Sequence, residues 1–186
     1  FTDPSYHLPH FYELFAKWAN EEDRGFWAQA AQASREYLAI ACHPVSGMSA
    51  EYAEFDGRPM SRGLAWSKER HDWFFSDAYR TAANIGLDYE WCKKDVGQCA
   101  AVKRLQYHLG VTYKDHMTGV FEVDGTPIGD AAKHPLGIIA TTAQGALALD
   151  GPISLEDADK EKALAAEWVK RLWDEPMRSG KYRYYD

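Results

Sequence analysis

The run Phe74-Phe75-Ser76-Asp77-Ala78-Tyr79-Arg80 places an arginine one helical turn after an aspartate, just beyond a long irregular stretch. A carboxylate that accepts a proton from water must be ionised, and a helix N-terminus and a nearby cation both favour that form. Asp77 has both if a helix starts there and Arg80 turns back toward it. The same spacing suits a plain N-cap aspartate paired with Arg80, and spacing alone does not separate the two readings. Tyr6, within Asp3-Pro4-Ser5-Tyr6-His7-Leu8-Pro9, brings a phenol to the mouth of the first helix, where it can donate to or position a water. A tyrosine there can equally be core or cap.

Other chemistries find less support. His7 and His10 are separated by Pro9, which spoils a regular helical face, and no third ligand accompanies them, so no metal site is expected. Gly180-Lys181 lacks the rest of a phosphate-binding loop, and no Gly-x-Ser-x-Gly nucleophile elbow occurs. No cofactor is called for. Trp66, Trp73, Tyr182, Tyr184 and Tyr185 lie near chain irregularities, where flat rings can stack on sugar faces, although rings at this density also build cores.

A net charge of -7, from 28 acidic and 21 basic residues, repels phosphate backbones and argues against nucleic acid or an anionic membrane surface as partner. A neutral substrate fits better. No apolar run approaches the roughly 18 residues of a spanning helix. Cys42, Cys92 and Cys99 have no zinc-like spacing and suggest a reducing compartment, such as the bacterial cytoplasm. Secretion is not excluded, and Cys92 with Cys99 could close one bridge in an oxidising compartment. The opening Phe1-Thr2-Asp3-Pro4 has neither initiator Met nor leader and reads like an internal cut.

Leu8, Phe11, Tyr12, Phe15 and Trp18 recur at three and four residues and predict a helix with one hidden face, ended by Asn20. A second helix starts at Glu21-Glu22-Asp23, whose charges suit the positive end of the dipole, and runs to Ala41. The two make a hairpin. From His43 to about Phe75, Pro44, Gly47, Gly57, Pro59 and Gly63 break periodicity, while Tyr52, Phe55, Trp66, Trp73 and Phe74 argue against disorder; this stretch reads as a wall or lid. Helices are expected from about Asp77 to Trp91, Gly97 to Leu109 and Pro135 to Leu149. A sixth begins at a Ser154 cap, with Asp157 three residues on, and runs to Pro176. Val120–Val123 and Thr126–Ile128 flank Asp124-Gly125 and predict a short hairpin, an excursion rather than a sheet. Helical pairs in sequence suggest a stack or toroid.

Taken in order, Asp3-Pro4-Ser5-Tyr6-His7, Ala33-Ser34-Arg35, His43-Pro44-Val45-Ser46-Gly47, Phe75-Ser76-Asp77-Ala78-Tyr79-Arg80 with Asn84, and Arg183-Tyr184-Tyr185-Asp186 resemble glycoside hydrolase family 8. The resemblance runs the length of the chain. His134-Pro135-Leu136 and the Tyr52 to Gly57 stretch look most like its reducing-end xylose-releasing exo-oligoxylanases. Two departures stand out: Met60 to Asp72 is longer than the family pattern, and Thr142 stands where Asn is more usual.

The resemblance implies an all-α fold, an (α/α)6 barrel of which residues 1–186 supply roughly the C-terminal half of a single catalytic domain. It implies inverting hydrolysis of β-1,4-xylo-oligosaccharides, with Asp77 as the base toward water and a glutamate acid upstream of Phe1, in the N-terminal half of the same barrel. Tyr6 would sit beside the water and Arg80 against Asp77. His134 would contact the reducing-end xylose, Pro135 and Leu136 would form the kink that closes the cleft beyond it, and Tyr184 and Tyr185 would bind substrate. Endo-acting activities of the same family, or a carbohydrate-binding half-barrel without catalysis, are the alternatives.

Overall fold

The computed structural model describes residues 1–149 and 157–177. α1 (Pro9–Trp18) and α2 (Glu21–Ala41) form the expected hairpin, with Pro9 at the first helical position and three acidic residues in the first turn of α2. Trp27 of α2 packs against Tyr12 and Phe15, its ring 4.9 Å from that of Phe15. The predicted apolar stripe is only partly hidden: Phe11, Phe15 and Trp18 stay exposed, because nothing among the described residues covers that side of the hairpin.

A buried tie joins this hairpin to the third helix. Arg35 donates to both carboxylate oxygens of Asp88, at 2.9 and 2.7 Å, and to Glu13 at 2.8 Å. A guanidinium out of water needs such a fork of acceptors. The Ala33-Ser34-Arg35 motif therefore serves as scaffold.

The third helix starts later than its pattern suggests. Ser76–Tyr79 form a 3-10 turn, and α3 proper is Arg80–Cys92. α4 (Gly97–Tyr107) continues into a π turn, His108–Thr112. α5 (Pro135–Gln144) ends in a 3-10 turn, Gly145–Ala148. Small residues on both sides allow α3 and α4 to pack closely on this end of α5, since a Cβ at Gly86 of α3 would lie 2.7 Å from the Gln144 carbonyl oxygen and one at Gly145 2.6 Å from a Val102 methyl. α6 (Ala158–Asp174) is capped by Asp157, whose carboxylate accepts from the backbone of Asp159 and Lys160; the proposed Ser154 cap lies outside the described residues. Trp168 anchors α6, fully buried and donating its indole N–H to the Gln106 carbonyl at 3.1 Å.

The expected hairpin belongs to a small sheet. β1 (Trp73–Phe74), β2 (Gly119–Glu122) and β3 (Pro127–Ala131) form an antiparallel sheet in the order β1-β2-β3. A two-residue strand carries no readable alternation, so β1 was hidden in the irregular stretch. Gly125 takes the positive φ its turn requires, +95°. The core is one cluster, in which Phe74, Phe121, Leu109, Ile138 and Trp168 join sheet and helices. Cys42, Cys92 and Cys99 are free thiols, so the bridge between Cys92 and Cys99 is not formed.

Candidate active site

Asp77, Arg80 and Tyr6 come together at the surface. Arg80 pairs with the Asp77 carboxylate, and both side chains are about two-fifths exposed, at 44% and 42%. The Arg80 guanidinium also lies 5.0 Å from the centre of the Tyr6 ring, which is itself 59% exposed. The N-cap reading of Asp77 does not hold, because its residue lies inside the 3-10 turn, after the Phe75 cap. The pairing with Arg80 that went with it is present, and the carboxylate stays 42% exposed.

Local backbone explains the placement. Ser76 has a φ of +47°, unusual for a residue with a Cβ, and this twist turns the chain from β1 into the Asp77 turn. Tyr6 closes the 3-10 turn Pro4–Tyr6, capped by Asp3, which accepts from the Ser5 N–H at 2.7 Å. Asn84 of α3 donates to the Ser5 carbonyl at 2.7 Å, tying the turn that bears Tyr6 to the helix that follows Asp77. Burial raises the Asp3 pKa, the hydrogen bond from Ser5 and the Arg80 charge lower it, and Asp77 raises it, so Asp3 belongs to the same electrostatic cluster.

Other candidates fall elsewhere. His134 is exposed and occupies the N-cap position of α5 without a side-chain cap bond. The start of α5 packs on the Asp77 turn, so that a Cβ at Gly137 would stand 3.7 Å from the Tyr79 ring. Leu136 is half-buried against the core. Tyr184 and Tyr185 lie outside the described residues. His7 bridges Thr2 and Ser34 at 3.1 and 3.2 Å, and His10 is buried. No group of three or more His, Cys, Asp or Glu suited to a metal occurs among the described residues. A cavity of about 550 Å³ between α4 and α6 is lined by Arg104, His108 and Leu164 and by none of the Asp77 cluster.

No protein-family model matches the chain. The chain is 50% identical, over its whole length, to the reducing-end xylose-releasing exo-oligoxylanase Rex8A of Paenibacillus barcinonensis, covering 45% of that protein. It is 49% identical to a reducing end xylose-releasing exo-oligoxylanase of Bifidobacterium adolescentis, covering 46% of it. The structure of Rex8A complexed with xylose aligns with a TM-score of 0.82, at 48% identity, over 97% of this chain and 44% of that one. Over its whole length the chain is a homologue of these exo-oligoxylanases. It spans just under half the length of the relatives it matches. Its helical pairs align with part of the Rex8A structure and are consistent with a partial (α/α)6 barrel.

Several neighbours of the site escaped the sequence reading. Glu51 and His71 are buried and joined at 2.6 Å, and the other imidazole nitrogen meets the Ser67 hydroxyl at 2.7 Å. Their distance in sequence gave no clue. In the sequence Asp3 has no role beyond its place in the Asp3–His7 motif, and the twist at Ser76 has no sequence signature. Among the described residues no helix is long and apolar enough to cross a membrane.

Proposed function

We propose that this chain is the base-bearing half of an inverting glycoside hydrolase that releases xylose from the reducing end of β-1,4-xylo-oligosaccharides. The observation that carries the reading is the exposed Asp77 carboxylate paired with Arg80, beside an exposed Tyr6, in a chain half identical to exo-oligoxylanases. In this mechanism a water sits between Asp77 and the anomeric carbon. Tyr6 holds the water through its phenol, and Arg80 fixes the carboxylate. Asp77 takes the proton as the water's oxygen attacks, while a carboxylic acid on the opposite side protonates the leaving sugar oxygen.

Inversion needs the two carboxyl groups roughly 6.5–9.5 Å apart, to leave room for that water. The acid is a glutamate in the N-terminal half of the barrel. His134 meets the reducing-end sugar, and Pro135 and Leu136 close the cleft beyond it, so that only one residue is released. No metal or cofactor takes part in the proposed chemistry.

The test is product analysis with the full-length protein. Xylotriose should yield xylose from its reducing end, with the new anomeric centre inverted. Retained configuration, or no cleavage of any xylo-oligosaccharide, removes the proposal. Early loss of xylan viscosity would instead indicate endo action.

A further inference from the structure

The irregular stretch carries a ring that neither the core nor the proposed reaction uses. Trp66 is 67% exposed, yet it is not on a loose loop. The Ser67 N–H donates to the Leu64 carbonyl at 3.2 Å, closing a tight turn that holds Trp66 at its tip. Ser67 is then fixed by His71, and His71 by the buried Glu51. The back of the indole rests near Tyr52 and His71, with ring centres 6.2 and 5.8 Å away, and His71 stacks on Tyr52 at 4.5 Å. This buried carboxylate–imidazole–hydroxyl chain ties the loop to the core and holds it in one shape.

This assembly adjoins the Asp77 cluster through the backbone. Tyr52 lies between Glu51, whose N–H donates to the Trp73 carbonyl at 2.9 Å, and Ala53, which exchanges two hydrogen bonds with Thr2. Trp73 leads through β1 to Asp77, and Thr2 leads to the turn of Tyr6. After burial, Asp3, Tyr6 and Asp77 are among the neighbours that raise the Tyr52 pKa, which places its phenol within electrostatic reach of the site.

We propose that Trp66, backed by Tyr52 and His71, is a stacking platform for a sugar ring of longer oligosaccharides, away from the bond that is cut. The proposal rests on the functional reading above and adds a length preference to it. The apolar C–H face of a neutral pyranose matches an indole held rigid in advance, because little ordering remains to be done on binding. The platform lies on the Met60 to Asp72 segment, the one that exceeds the family pattern.

The experiment compares full-length wild type, Trp66→Ala and Trp66→Phe on xylobiose, xylotriose and xylohexaose, with xylohexaose binding titrated in an Asp77→Asn background. Trp66→Ala should raise KM and Kd for xylohexaose about three- to tenfold, the range of one aromatic stacking contact. Its kcat and its constants for xylobiose should not change, and Trp66→Phe should recover part of the loss. An equal effect at every length, unchanged xylohexaose binding, or a lowered melting midpoint with activity lost on all substrates would overturn the platform. Failure of the wild type to cut any of the three would sink the hydrolase reading, while the binding titration would still judge the platform.

Discussion

One guanidinium serves two partners: Arg80 pairs with the Asp77 carboxylate and lies 5.0 Å from the centre of the Tyr6 ring. The planar fork of arginine can bind a carboxylate edge and present a face to an aromatic ring together, which a lysine ammonium cannot. Arg80→Lys should therefore lower kcat about tenfold, near 1.4 kcal/mol of transition-state stabilisation, with KM little changed. Steady-state kinetics on xylotriose checks this, and an unchanged kcat would mean that the pair is merely a surface contact.

Asp77 bears the larger burden in the proposed reaction. Asp77→Asn keeps the shape and removes the base, so kcat should fall about 10²- to 10⁴-fold, the usual worth of general-base assistance. Calorimetric titration should still detect xylotriose binding. Loss of binding together with turnover would indicate a structural residue instead.

The tie between Arg35, Asp88 and Glu13 makes a different kind of prediction. Arg35→Met leaves Asp88, only 2% exposed, without its partner. Removing one member of a buried pair costs about 3–5 kcal/mol. Urea unfolding should show this, and Arg35→Met with Asp88→Leu together should lose less than the single change.

His43-Pro44-Val45-Ser46-Gly47 is also scaffold. Gly47 has a φ of +74°, and a Cβ there would lie 2.1 Å from the Ala101 carbonyl oxygen. Gly47→Ala should cost about 2–4 kcal/mol, from the strained dihedral and the overpacking together. A melting curve close to wild type would show that the loop can move away from α4.

Helices α1 and α2 were legible because periodicity, the break at Asn20 and the acidic first turn of α2 agree, and the Asp124-Gly125 turn because few residue pairs fit its dihedrals. What stayed hidden depends on contacts distant in sequence. β1 exists only because Glu122 and Phe121 pair with Trp73 and Phe74. The start of α3 at Arg80, rather than Asp77, follows from the twist at Ser76. Of the residues that carried the family resemblance, Asp77, Arg80 and Tyr6 converge on one patch, whereas Ser34, Arg35 and Gly47 hold the frame. Sequence likeness does not separate those two duties, but burial does.

Asp3 links the frame to the patch, and its protonation gives the last prediction. Burial is the strongest influence on its carboxyl and holds the pKa above the ordinary 3.8, with Asp77 adding to the rise and Ser5 and Arg80 opposing it. A carboxyl raised in the folded state binds its proton more tightly there. Its contribution to stability is therefore fully present below 3.8 and is lost as pH rises through the folded value. At neutral pH the buried charge is a net cost, accepted because the oxygen caps the turn of Tyr6. Asn offers the same acceptor without the charge. Asp3→Asn should thus melt at or above the wild-type temperature at pH 7, and the wild type should gain on it as the solution is made acidic. If the Asn variant is instead less stable at pH 7 and its deficit shrinks as the solution is made acidic, the carboxylate is stabilised by Ser5 and Arg80 more than burial penalises it, and the ordering of those influences must be reversed.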